Sequence, residues 1–179
     1  MTQEVILVNE ADQAVGSIEK MEAHRKALLH RAFSVFIFNS KGEMLLQQRA
    51  SNKYHCGGLW TNACCSHPAP GEITADSARR RLDEELGFVT ELTKIFDFTY
   101  QVRFENGLTE YEFDHVYTGI YDDMIRPNKE EVNDYCFKNM EEIESSLDTH
   151  AQKYTPWFLI AFPRVQEWAR SYFAQEAVA

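Results

Sequence analysis

No stretch of the 179-residue chain approaches the roughly 18 apolar residues that a membrane-crossing helix needs. Its first apolar stretch, Val5-Ile6-Leu7-Val8, is too short for a secretory signal and has no basic segment before it. A cytoplasmic protein with no membrane insertion is therefore expected. Basic residues are few beside acidic ones, 18 against 28, giving a net charge of −10. Such a surface repels phosphate backbones and argues against nucleic acid as a partner. It leaves room for a small phosphorylated ligand, because a basic pocket or a metal reverses the field locally. Cysteine is sparse: Cys56, Cys64, Cys65 and Cys136. In a reducing compartment these are free thiols, so a working cysteine is a ligand, nucleophile or base rather than half of a disulfide. No paired Cys-x-x-Cys spacing exists, which argues against a structural zinc knuckle. Linkers, internal repeats and low-complexity segments are also lacking. The length then corresponds to a single domain over residues 1–179.

What is present is apolar and aromatic. Apolar residues make up 44% of the chain and aromatics 13%, enough for a packed core and for an apolar pocket wall. Residues 5–8 predict a short strand, and residues 18–29 an irregular or partly helical connection. Phe33–Phe38, the turn Asn39-Ser40-Lys41-Gly42 and Met44–Arg49 predict a hairpin. Residues 50–73 form an irregular stretch rich in Gly, Pro, Asn, Cys and His, too long for a compact domain unless it is functional. Ala78, Leu82 and Leu86 repeat every four residues, predicting a helix from Thr74 as N-cap to Gly87 as C′ residue. A second hairpin covers Ile95–Phe104 and Leu108–Tyr121, with a short strand at Tyr135–Phe137. Helices follow at Met140–Leu147 and Pro156–Phe173, the latter with Trp157, Ile160, Ala161, Val165 and Trp168 on one side. Strands and helices mix without regular βαβ alternation, so the class is α+β, a mixed α/β sandwich.

Four groups of residues could carry chemistry. Cys64, Cys65 and His67 stand within four residues; they are a metal cluster, a thiol beside a histidine in a cleft, or inert buried cysteines. In a strand Glu110, Glu112 and Asp114 share one face, with Tyr111 and Phe113 on the other. Like charges so close need solvent, a metal or a shared proton, and spacing alone favours a solvated face. His24, His30 and His67 with two carboxylates would suit an octahedral divalent site if the fold gathers them. Glu72, Glu84 and Glu85 around the 74–86 helix either hold Mg²⁺ against a diphosphate or form a solvated face with Arg79, Arg80 and Arg81.

Glu72, Arg80, Glu84, Glu85, Gly87 and Phe88 resemble the Nudix box, G-x5-E-x7-R-E-U-x-E-E-x-G-U with U apolar. Ser66 replaces its first Gly, and Arg81 replaces the Glu of its Arg-Glu pair. These departures match one branch of that superfamily. Leu7-Val8-Asn9, Glu19-Lys20, His24, His30-Arg31-Ala32-Phe33-Ser34 and Gln48-Arg49-Ala50 follow its order. So do Leu59-Trp60-Thr61-Asn62, Cys65-Ser66-His67-Pro68, Gly71-Glu72, Glu85-Leu86-Gly87, Tyr100, Glu110-x-Glu112 and Tyr154-Thr155-Pro156-Trp157. The chain is similar to the type I isopentenyl-diphosphate Δ-isomerases.

The resemblance implies a Nudix-like fold and interconversion of isopentenyl and dimethylallyl diphosphate. By position Cys65, Glu112 and Tyr100 match the family's catalytic residues. His24, His30, His67, Glu110 and Glu112 match the ligands of a divalent ion, Zn²⁺, Mn²⁺ or Mg²⁺, and Glu85 the carboxylate on the diphosphate's Mg²⁺. Lys20, Arg49, Lys53 and Arg81 match the diphosphate clamp, and Trp157 the indole over the isoprenoid tail. The alternative is a Nudix hydrolase of a nucleoside diphosphate derivative, against which Arg81 and the Cys65/His67 pair argue.

Overall fold

Nine strands and four helices follow from the alternation of apolar residues in a computed structural model that describes residues 3–176. The strands are β1 (Glu4–Val8), β2 (Ala14–Glu19), β3 (His30–Phe38), β4 (Met44–Arg49), β5 (Trp60–Thr61), β6 (Cys64–Ser66), β7 (Thr93–Arg103), β8 (Thr109–Ile120) and β9 (Val132–Lys138). The helices are α1 (Lys20–Lys26), α2 (Thr74–Leu86), α3 (Met140–His150) and α4 (Pro156–Glu176). β3 is buried at nearly every position because both of its faces are covered, and from Ala32 onward only Ser34 is polar. Phe33, Val35 and Ile37 pack with Ala78, Leu82 and Leu86 of α2. Phe36 and Phe38 pack on the other side with Ile143 of α3 and Phe158, Phe162 and Val165 of α4. The sheet is thus a middle layer between α2 and the α3/α4 pair.

β3 and β8 are parallel neighbours, and their register sets His30 opposite Glu112. β8 continues antiparallel to β7, where Glu112 faces Tyr100. β6 lies antiparallel to β3, with Ser34 beside Cys65 and Val35 beside Cys64. Four strands, β3, β6, β7 and β8, therefore deliver the histidine, the thiol, the tyrosine and a glutamate to one region of the sheet.

Several local expectations change. The 33–49 segment turns as a hairpin, but β3 and β4 pair only at Phe38 and Met44. Beyond the turn β3 joins β8 and β4 joins β9, each a longer ladder. The connection at 18–29 is the end of β2 followed by α1, capped by Glu19, whose carboxylate accepts from the N–H groups of Met21 and Glu22. Residues 50–73 are not wholly irregular, since β5 and β6 lie within them. Thr74 is the first helical residue rather than the cap; Ile73 takes that place with no side-chain bond, while Glu72 is occupied by Ala69 and Arg80. Gly87 ends α2 with φ of 73°, and an added Cβ would meet the Arg126 carbonyl oxygen at 2.6 Å. Ile160 is exposed rather than part of the buried side of α4.

Candidate active site

Every residue that the family resemblance put at a site lines one pocket, except His24 and His30, which lie buried behind its wall. The helix α1 makes this possible at its start: its seven residues put Lys20 one turn from His24. His24 Nδ1 bonds the Lys20 carbonyl at 2.6 Å, and His30 Nδ1 bonds the Leu28 carbonyl at 2.8 Å. Each bond fixes a ring and leaves Nε2 for the cluster.

The three carboxylates of β8 are buried, not solvated as spacing alone favoured, because α1, the loop between β4 and β5, His67 and side chains from β3 and β7 cover this face of the strand. Histidines answer the two glutamates. His24 Nε2 faces Glu110 Oε2 at 3.1 Å, His67 Nε2 bonds Glu112 Oε1 at 2.7 Å, and His30 Nε2 lies 3.6 Å from the same oxygen. Tyr100 donates its hydroxyl to Glu112 Oε2 at 2.6 Å. Burial opposes ionisation of Glu110, but the neighbouring His24 and His55 rings hold it well below the usual carboxylate range. Burial and the Glu110 charge oppose ionisation of Glu112 too, yet His30 and His67 pull it down. Burial pushes His67 down to about 4, and burial with the Glu112 charge lifts Asp114 well above its usual range. Asp114 is held by Ser34, which donates to its Oδ2 at 2.7 Å.

Five donor atoms, one each from His24, His30, His67, Glu110 and Glu112, lie within 4.8 Å of one another. His24 Nε2, His30 Nε2 and Glu110 Oε2 are buried with no aligned hydrogen-bond partner among the described residues. Orphaned buried polar atoms are costly, and a three-imidazole, two-carboxylate set suits a divalent cation. The cluster can bind a metal.

Across the pocket, β6 is extended and turns its adjacent cysteines to opposite sides. Cys64 is buried in the α2-side core with its Sγ 3.5 Å from Glu85. Cys65 Sγ reaches the pocket, where it accepts from Trp157 Nε1 at 3.0 Å and donates to Asn62 Oδ1 at 3.1 Å. Burial, then the Asp114 charge, pushes its thiol up to about 12, so it stands protonated. Trp157 leads into α4, and its indole also donates to Thr61 at 3.0 Å.

The cationic end is formed by Lys20, Arg49, Lys53 and Arg81. Arg81 bonds Glu85 at 2.7 Å and Glu84 at 2.7 Å and comes within 3.5 Å of Glu131, which also pairs with Lys53. Glu85 is buried and also receives Gln47 Nε2 at 3.0 Å. Glu84 on α2 and Glu72 in the turn before it instead pair with Arg80 on the outer side of the helix.

Among the pocket residues that sequence reasoning missed, three carry charge or aromatic contacts to the site. His55 lies against Glu110, Tyr54 lies under Lys20, and Glu131 joins Lys53 to Arg81. Only the length of the 50–73 stretch hinted at the first two. Glu131 gave no signal, sitting in an ordinary acidic run before β9.

The layered fold and a box helix beneath a cationic pocket define the Nudix class, and the NUDIX domain family matches residues 28–158. The DR0079 protein of Deinococcus radiodurans has the same fold, with TM-score 0.67 at 20% identity over 83% of this chain and 90% of that one. The MutT protein of Methanosarcina mazei superimposes with TM-score 0.63 at 20% identity, covering 83% and 95%.

Closer likeness lies in one branch. The chain is 46% identical over 174 residues to the isopentenyl-diphosphate Delta-isomerase of Pectobacterium atrosepticum, covering 97% of each. It is 43% identical over 175 residues to that of Serratia proteamaculans, covering 95% and 98%. The chain belongs to the isopentenyl-diphosphate Delta-isomerase family. No described helix is long and apolar enough to cross a membrane.

Proposed function

We propose that this chain interconverts isopentenyl and dimethylallyl diphosphate with Cys65 and Glu112 as its proton-transferring pair. The observation that carries the assignment is one pocket lined by a thiol, a tyrosine-bound carboxyl group, an indole and four cations. Cleavage of a diphosphate has no use for the thiol. Hydrolysis of a nucleoside diphosphate derivative is further disfavoured because Arg81, a cation, stands where the Nudix box has a carboxylate.

The chemistry explains the residue types. Moving a double bond along an unactivated alkene offers no carbonyl to store charge. One group protonates the terminal carbon and gives a tertiary carbocation; a second removes a proton from the neighbouring methylene. Cys65 and Glu112, in one pocket, are the groups with protons to exchange. Each such group contributes about 10²–10⁴-fold. Tyr100 holds the Glu112 oxygen that faces it. Trp157 presents a π face to the cation, and the buried aromatic wall keeps out water that would trap it as an alcohol. Lys20, Arg49, Lys53 and Arg81 hold the diphosphate, Arg81 with a fork of donors.

His24, His30, His67, Glu110 and Glu112 would hold one divalent ion, Zn²⁺, Mn²⁺ or Mg²⁺, and Glu85 a Mg²⁺ beside the diphosphate. The first would supply charge to fix the two glutamates, and the second would offset the charge of the substrate. The protein's setting is the cytoplasm. Incubation with isopentenyl diphosphate, with and without divalent metal, tests the reading by NMR. The allylic isomer is expected only with metal; unchanged substrate in the metal-loaded sample overturns it.

A further inference from the structure

The loop between β4 and β5 carries Lys53, Tyr54 and His55 into the pocket wall. It is fastened to the far end of the β7–β8 hairpin, where Asn106 Nδ2 donates to the Tyr54 carbonyl at 3.0 Å. Next to this bond the His55 ring stacks on Phe104, with centroids 4.7 Å apart and planes 13° apart. Tyr54 meets the ring edge-on at 4.4 Å, and Trp157 stands at 5.8 Å. His55 is 7% exposed, unusual for a loop histidine. Such an imidazole normally finds polar partners. Its Nε2 faces Glu110 Oε1, and neither ring nitrogen has another partner among the described residues.

The two oxygens of Glu110 therefore have different surroundings. Oε1 meets His55, whereas Oε2 meets His24 and is otherwise unpartnered. His55 lies outside the five-atom cluster that could hold an ion. We propose that His55 is a positioning residue that holds Glu110 Oε1, so that Glu110 turns one oxygen, Oε2, toward the metal cluster. A neutral imidazole with its hydrogen on Nε2 suffices, and no change of protonation is required. The Phe104 stack sets the ring plane, and the loop that carries His55 also carries Lys53. The same loop thus serves both the cationic end and the cluster end of the pocket.

This inference rests on the cluster being a metal site, and the test separates the two. Mn²⁺ is titrated into the protein and the free ion is read by EPR, with no substrate present. Wild-type protein that takes up no Mn²⁺ overturns the metal site itself. Given uptake, His55→Phe keeps the stack and loses the donor, and is expected to weaken Mn²⁺ affinity by about 10–100-fold, as for other partners of metal-binding carboxylates. His55→Gln places an amide N–H near Nε2 and should stay within a few-fold of wild type. Phe104→Leu loosens packing without removing the donor and should also stay close to wild type. Should His55→Phe fail to fold, His55→Asn, whose amide stops short of Glu110, takes its place with the same expectation. Wild-type affinity in the donor-less variant overturns the inference. So does an equal loss in His55→Gln, which would mean that ring bulk alone matters.

Discussion

Two groups of three carboxylates, on β8 and around α2, solve the same repulsion in opposite ways. Glu110, Glu112 and Asp114 are 3%, 7% and 1% exposed, and the two glutamates meet imidazoles. Glu72 and Glu84 lie at the surface and share the guanidinium of Arg80. Glu85 stands between, buried like the first group but paired to Arg81 like the second. A guanidinium stays charged and gives a permanent counterion. A neutral imidazole offers a lone pair and suits a carboxylate cluster that can bind a cation. Glu72 and Glu84 therefore brace the fold, while the β8 group can bind a metal.

The largest effect is expected beside the β8 group. Cys65→Ala removes the thiol from the pocket without unpacking anything large, and should lower kcat by about 10²–10⁴-fold. Cys64→Ala should keep kcat within a few-fold and cost about 1 kcal/mol of stability. An inactive Cys64→Ala beside an active Cys65→Ala would reverse the roles of the neighbours.

Metal should distinguish the two carboxylate groups next. A divalent ion at about 100 times its dissociation constant stabilises the folded protein by about 2.7 kcal/mol. Calorimetry should show Tm rising by several degrees with Mn²⁺ and falling again with chelator. Glu110→Gln should abolish the rise, whereas Glu84→Gln should leave it intact. A rise that survives Glu110→Gln places the ion elsewhere.

Much of this contrast was legible in the sequence on the α2 side and little on the β8 side. Arg80–Glu84 and Arg81–Glu85 are four residues apart, a separation that a helix makes adjacent. Strand alternation likewise put Glu110 and Glu112 on one face. Burial did not follow from alternation, because it depends on the parallel pairing of β3 with β8, whose residues lie about eighty positions apart. The residue types named His24, His30 and His67 as a set only if the fold gathered them, and spacing could not show that it does. His55 escaped because its partners, Phe104 and Glu110, come from the far side of the second hairpin. The Thr74 cap was misplaced by one residue: Ile73 takes the N-cap position with no side-chain bond.

Arg81 belongs to both settings, and Arg81→Glu tests the bridge. The change places a fourth carboxylate beside Glu84, Glu85 and Glu131 and removes a donor fork from the cationic end. Loss of charge-assisted bonds to the diphosphate is worth about 1.5–3 kcal/mol. KM for isopentenyl diphosphate should rise by roughly tenfold to a hundredfold, with a smaller change in kcat. An unchanged KM removes Arg81 from the diphosphate clamp.

The smallest effect is expected on the exposed side of α2. Bonds from Arg80 hold the Glu72 carboxyl down, from the usual 4.5 to about 2. A carboxyl whose folded pKa lies below its unfolded one stabilises the protein above the unfolded value. That contribution is lost as pH falls from about 4.5 toward 2. Arg80 is 43% exposed, so solvent screens the pair and about 1 kcal/mol is the realistic size. Glu72→Gln should lower Tm by about 2–4 °C at pH 7. The gap between variant and wild type should narrow on acidification and be mostly gone near pH 2, where the wild-type carboxyl is half protonated. High salt at pH 7 should narrow it as well, because an exposed pair is open to screening. A gap that persists at pH 2 would assign the loss to packing instead of charge, and the contrast between the two carboxylate groups would rest on β8 alone.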